Sequence, residues 1–417
     1  MSVSQEHETA EARREPIPRR YWIWLGGVTL SLLGSQMMAF GMTWAAAAWG
    51  GTFAGAVLTA VNLPRVALLL FGGALADRVG AWRVMITSDF TMAVATIVLG
   101  GAVLALGVQP YLLLAAALVI GTVDAFYLPS SGSMPRRLVT GEPLARAMSA
   151  RQAIGQLATF AGPSAGGLIV ATAGLATAAF LNAGTFVVMA VILIGLRPRS
   201  APAATPPPAG GSSGLRRAAD GLRVAWSDPL LRPALGLIAV AAGFLLPVSG
   251  LFIPLLATQR QWNAGTGGVL AGTIALGIVA VAVTVTAAGA VPRPGLAAAG
   301  GLALAATAVL GLAFAHTTVA AIATAAVVGL GSGLFSTHVG PLILGGTPST
   351  HLARVQSVLV LAQSLPLLLT NNVLGSLNDL FDVDIALGVC AAFLLLAAAL
   401  AVRSPTLRAA TLVPRSS

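Results

Sequence analysis

Two ionisable side chains of this 417-residue chain stand in otherwise apolar surroundings: Arg65, within LTAVNLPRVALLL, and Asp124, within ALVIGTVDAFYL. Such a pair suits two roles. It can be a static ion pair that fixes packing, or the carboxyl can carry a proton. Burial strengthens a carboxyl's hold on its proton and a neighbouring arginine weakens it, so opening and closing a cavity changes both effects. Asp89 lies nearer the end of its apolar block and reads as structural. No cluster has metal-ligand spacing and no phosphate loop is present. Neither a metal, a cofactor nor direct ATP hydrolysis is therefore expected. A membrane enzyme would need a clustered set of catalytic polar groups, and the blocks offer only Arg65 and Asp124 near mid-depth.

The elements that must position this pair are set by composition. Hydrophobic residues make up 57% of the chain and charged residues 9%, against about 25% charged in soluble proteins. The apolar residues come in blocks long enough to cross a hydrocarbon core of about 30 Å. The blocks span 22–48, 53–76, 84–107, 111–133, 148–172 and 174–196, then 231–257, 265–290, 295–315, 318–343, 353–377 and 384–403. An all-α membrane protein of twelve transmembrane helices is expected, in two six-helix bundles covering 22–196 and 231–403. Between them, 197–230 contains RPRSAPAATPPPAGGSSG, which reads as a linker, and LRRAADGLRVAW, which reads as a short amphipathic surface helix. Arg65 is about twelve residues, and Asp124 about thirteen, from the same side of the membrane. At 1.5 Å per residue both lie roughly 18–20 Å deep.

The formal net charge is +10, and every basic residue is arginine. The arginines sit in short connections rather than along one face, which argues for topology and against nucleic acid. With residues 1–21 and 404–417 as cytoplasmic tails, the inside segments hold Arg13, Arg14, Arg19, Arg20, Arg78, Arg83, Arg136, Arg137 and more. The outside loops hold Arg260 with Asp379, Asp382 and Asp384. This bias predicts both termini inside a bacterial inner membrane. The first twenty residues are polar, so no cleavable signal peptide is expected. Cys390 is the lone cysteine, which excludes an intrachain disulfide. Residues 412–415 resemble a thrombin recognition sequence and are set aside.

Three motifs carry a family resemblance. Gly73-Ala74-Leu75-Ala76-Asp77-Arg78-Val79-Gly80, followed by Arg83, resembles the cytoplasmic loop signature of the major facilitator superfamily. Ala81 and Trp82 stand where that family usually has basic residues. Gly162-Pro163-Ser164-Ala165-Gly166-Gly167 resembles the signature that the superfamily associates with antiporters. The run from Ala125 to Leu168 resembles the macrolide-efflux and enterobactin-exporter branch of drug:proton antiporters. The likeness covers nearly all of the first half; the second half matches in pattern only.

The resemblance implies a secondary transporter exporting a small organic compound in exchange for protons, as a monomer in the lipid bilayer. It implies that Asp77 latches onto the start of the eleventh helix, near 349–354. Helices 1, 4, 7 and 10 would line the cavity, which favours Asp124 as carrier with Arg65 beside it. The cavity would then be lined by Gln36, Met37, Phe40, Phe126, Tyr127, Phe244, Phe335 and His338, with Asn371 on helix 11 as a further wall. A lone His338 also suits simple packing. A proton-coupled importer or a lipid mover would use the same fold.

Overall fold

The computed structural model describes residues 15–196, 228–289, 291–345 and 352–410, without the side chains of some helix residues, Gly73 and Asp77 among them. The first tail up to residue 14, the linker over 197–227 and the 412–415 sequence lie outside the described residues.

Long apolar runs fold as helices because a backbone in hydrocarbon must satisfy its own hydrogen bonds. Helix α1 is Arg19–Ala47, α2 Gly51–Val79, α3 Ala81–Leu106 and α4 Pro110–Leu138. The stretch Pro143–Leu196 is two spans in one, because Gly174 breaks it with φ 79° and ψ 173°. We number these α5, 143–173, and α6, 175–196. In the second half α7 is Leu231–Gln259, α8 Ala264–Ala288, α9 Pro294–Ala313 and α10 Thr318–Gly345. Helix α11 is Leu352–Leu380, α12 Val383–Arg403, and a short α13, Pro405–Ala409, follows. Several helices outrun the expected spans; α5 begins five residues early, at Pro143. Their polar first and last turns reach into the interfacial region, where hydropathy gives no signal.

Local chemistry places the ends. Asp228 opens α7 by accepting from the N–H groups of Leu230 (2.7 Å) and Leu231 (2.9 Å). Within α7 the backbone widens to a π-helical turn over Val248–Phe252. Pro247 and Pro254 flank it, and neither can donate an N–H, so the regular ladder fails there. We call the end of the bundle that holds the described chain termini proximal and the other distal. At the distal end Arg260, after α7, donates to both oxygens of Asp384 on α12 (2.8 and 2.9 Å) and to the Ala313 carbonyl of α9 (2.9 Å).

Helix α1 packs on α5 and α6, α2 on α4, and α9 on α10 and α12; between the halves α5 meets α8 and α2 meets α11. Outer helices turn apolar side chains outward, as α3 does with Phe90, Val94, Ile97 and Val98. That face suits lipid. Lipid also removes the hydrophobic drive for helix association, so close packing of small residues must supply it. The antiporter-like motif does so in two directions. A Cβ on Gly166 would lie 2.5 Å from the Met37 carbonyl oxygen of α1. One on Gly167 would lie 2.5 Å from the Ala264 carbonyl oxygen and 2.7 Å from Gly268 Cα, both on α8.

Gly166→Leu should therefore destabilise the fold by about 1–3 kcal/mol, the usual cost of overpacking. Gly184→Leu, on α6 where a Cβ meets nothing within 4 Å, should leave the melting temperature unchanged. Equal melting temperatures for both variants in detergent would contradict this reading of the motif.

Candidate functional site

Glycines bring the helices carrying Arg65 and Asp124 together. A Cβ on Gly121 of α4 would run into the Val61 carbonyl of α2, and one on Gly72 of α2 into the Ala125 carbonyl of α4. With the backbones this close, Arg65 Nη2 donates to Asp124 Oδ2 in an ion pair midway along both helices. The pair is not sealed. The Arg65 and Asp124 side chains keep 35% and 22% exposure. The Arg65 Nε is buried without a hydrogen-bond partner among the described residues. Protein thus leaves part of the ion pair uncovered, unlike a sealed structural pair.

Asp89 and Tyr127, both named from the sequence, lie near this pair, and Arg151 joins them. Tyr127 is three residues beyond Asp124 on α4. Its phenol is buried without a partner among the described residues, within electrostatic reach of Asp89, Arg151 and Asp124. Asp89 on α3 is fully buried, and neither carboxylate oxygen has a partner among the described residues. Arg151 on α5 donates to Ser131 Oγ (3.3 Å), and its guanidinium lies 5.6 Å from the Trp24 ring centroid. The sequence reading weighed α5 by its glycines alone. An arginine inside the span it drew was a signal it left unused.

The nine residues expected to line a cavity go to different places. Phe335 lines a cavity of about 310 Å³ between α7, α8, α10 and α11, with Leu245, Ser336 and Gln363. Gln36 and Met37 pack against Gly162 and Gly166 of α5. Phe40 stacks on Trp44 (6.3 Å), and both rings cover Gly267 at the distal seam. Phe244 stacks on Phe393 of α12 (4.4 Å), an outer helix. His338 is fully buried; Nδ1 faces the Leu334 carbonyl (2.9 Å) and Nε2 accepts from the Val291 N–H (3.4 Å). It pins the connection after α8. Asn371 is buried at the seam where Gly55 meets its carbonyl, and its Oδ1 lacks a partner among the described residues. Phe126 is half-buried on α4.

The halves meet at the distal end. Gly51 and Gly55 of α2 touch the backbone of α11 at Gly375 and Asn371. Asn372 donates to Thr59 Oγ1 (2.8 Å), and Ser164 Oγ donates to the Gly268 carbonyl (3.1 Å). Asp379, at the end of α11, accepts from the N–H groups of Gly51 (2.6 Å) and Thr52 (2.8 Å). It thus caps α2 from the other half and sits on the positive end of that helix. At the proximal end Gly80 joins α2 to α3 with φ 97°, a conformation glycine adopts freely, and Arg78 and Arg83 are exposed. The side chain of Asp77, Gly73 and its expected partner stretch at 349–351 lie outside the described residues.

Eleven apolar helical stretches among the described residues are long enough to cross a membrane, and one of them, Arg146–Leu196, is the pair α5 and α6. This twelve-span architecture, with its two halves in register across paired seams, agrees with a family model described as Major Facilitator Superfamily, which matches residues 24–371. The chain belongs to that superfamily. It is 28% identical over 222 residues to the multidrug efflux pump Tap of Mycolicibacterium fortuitum, covering 51% of this chain and 53% of Tap. It is 31% identical over 235 residues to the enterobactin exporter EntS of Escherichia coli, covering 55% of this chain and 53% of EntS. The chain thus spans 53% of the length of each of these relatives. Among solved structures, the nucleoside transporter NupG superposes with a TM-score of 0.72 at 13% identity, covering 92% of this chain and 99% of NupG. A POT family transporter bound to 5-aminolevulinic acid superposes with a TM-score of 0.74 at 12% identity, covering 92% and 96%.

Removing the Asp379 cap should loosen the distal seam by about 1 kcal/mol, the order of a lost helix cap. That is a roughly five-fold shift toward distally open molecules. Spin labels at Trp49 and Leu380, exposed residues on opposite halves, would report it in a Cys390→Ser background. Asp379→Ala should add a longer-distance population; an unchanged distance distribution would mean that the cap holds nothing.

Proposed function

We propose that the chain is a proton-driven exporter of a small organic compound, working by alternating access as a monomer in a bacterial inner membrane. The observation that carries this reading is the Arg65–Asp124 pair, midway along two apolar helices and only partly covered by protein. The arginine-rich connections at the proximal end support cytoplasmic termini, since Arg78, Arg83, Arg136, Arg137 and Arg293 all fall there. With that orientation the glycine seam closes the outer side and the state faces the cytoplasm. The relatives named as a drug pump and a siderophore exporter support small organic cargo and outward direction.

The chain's own residues suggest the cycle. Cargo enters from the cytoplasm while the α2–α11 and α5–α8 seams are shut outside. Rocking of the halves breaks the Asp379 cap and exposes Asp124 to the outer, proton-rich side. A proton on Asp124 removes its charge, frees Arg65 and favours cargo release. Return to the inward state presents Asp124 to the cytoplasm, where the proton leaves and the ion pair re-forms. The Asp77 signature supplies the latch for the outward state, opposite in position to Asp379.

The test uses proteoliposomes with an imposed pH gradient and a fluorescent compound chosen because it raises the melting temperature of the purified chain. Asp124→Asn keeps size and hydrogen bonding but cannot titrate. It should lose uphill transport by at least about ten-fold, equivalent to ~1.4 kcal/mol of lost coupling, while still exchanging the compound across the membrane at equal pH. Uphill transport equal to the parent's would reduce the pair to a packing device.

A further inference from the structure

A cavity of about 280 Å³ lies between α1 and α5, lined by Leu25, Val28, Thr29, Arg151, Gln152 and Gln156 among others. It is separate from the Phe335 cavity of the other half. Gln152 and Gln156 are exposed. Polar side chains this far into a span would be costly against lipid, so this face of α5 meets water. Leu157 and Ala161 lie on the other side of α5, in an apolar groove with Trp22 and Leu30.

Arg151 is the one charged group among the residues lining this cavity. The ion pairs of the described residues are Arg65–Asp124 and Arg260–Asp384, so Arg151 has no carboxylate partner among them. A guanidinium carries five N–H donors, and the hydrogen bond to Ser131 Oγ uses one nitrogen. The Trp24 ring backs the cation, and the phenols of Tyr21 and Tyr127 stand near it. The Tyr21 hydroxyl is already donated to the Ala147 carbonyl. The Trp24 ring supports the planar guanidinium fork, whose remaining donors have no protein acceptor among the described residues. Such a fork matches the two oxygens of a carboxylate.

We propose that this cavity binds a small amphipathic organic anion, with its acidic group on Arg151, its polar edge along Gln152 and Gln156, and its apolar body against Leu25 and Val28. This names the cargo class of the exporter proposed above and rests on that reading. The geometry does not require Asp124 to touch the cargo, so charge recognition at α5 and proton handling at α2 and α4 are separate tasks in one half.

The probes are dansylglycine and dansylglycinamide, which share an apolar body and differ in one negative charge. Binding to the purified full chain in neutral detergent is read from dansyl fluorescence. The parent should bind the carboxylate at least about ten-fold more tightly than the amide. Arg151→Gln should erase that preference, and Arg151→Lys should keep part of it. Should Arg151→Gln prove unstable, Gln156→Glu places a negative charge on an exposed site of the same wall and should weaken carboxylate binding more than amide binding, shrinking the preference. Equal affinities for the two dyes in the parent, no carboxylate binding at all, or a preference that survives both variants would overturn the proposal. Carboxylate binding lost in phosphatidylglycerol nanodiscs but kept in phosphatidylcholine would assign the site to a lipid headgroup and also overturn it. Failure of pH-driven transport with the anion preference intact would sink the exporter reading and leave the site standing. A lost preference with pH-driven transport intact would do the reverse.

Discussion

The approach of bare backbones at two inter-half seams is the constraint on which the rest of the molecule depends. Where Gly167 faces Gly268, and where Gly55 faces the backbone of α11, backbone meets backbone with no side chain among the nearest atoms. Dispersion falls off steeply with separation, so such contacts are strong only at close range and vanish once the halves part. A larger cap or a wider salt bridge would hold over a range of distances. Small residues instead give a seam that is either shut or open, which is the behaviour a gate needs.

That constraint also sorts the polar groups. Asp379 and Asn372 lie at the distal seam and hold the halves together. Arg65, Asp124 and Arg151 each sit inside the first half, on α2, α4 and α5, so motion of the halves need not tear their local framework apart. It changes what they can reach. Arg260 and His338 tie helices and connections within the second half, and neither ties the halves together. Among the described residues the charged groups near mid-span thus lie in the first half, while the cavity of the second half is lined mainly by apolar residues such as Phe335 and Leu245.

Much of this was legible in the sequence, because the membrane imposes length and hydropathy on every span. The twelve blocks and the depth match of Arg65 with Asp124 follow from counting residues at a fixed rise. Close approach at Gly166 and Gly167 follows from residue size. The facing of side chains does not follow from counting. Phe244 points to α12 and Phe40 to the distal seam because rotation of each helix is set by its neighbours, and those belong to distant parts of the chain. His338 spends its ring on a loop and Asn371 on a seam for the same reason. Arg151 was visible as a residue but not as a site, since its partners Trp24 and Ser131 come from α1 and α4. The capping role of Asp379 depends on a helix more than three hundred residues earlier.

Sidedness of access tests the account most directly. In a Cys390→Ser background, Gln156→Cys and Thr59→Cys place single thiols on the water-facing wall of α5 and in the distal seam. A membrane-impermeant maleimide applied separately to right-side-out and inside-out vesicles reads the face from which each is reached. Without a gradient or cargo, Gln156→Cys should label from the cytoplasmic face alone and Thr59→Cys from neither. Labelling of Gln156→Cys from the outer face, or ready labelling of Thr59→Cys from outside, would contradict a cytoplasm-facing state closed by the glycine seams.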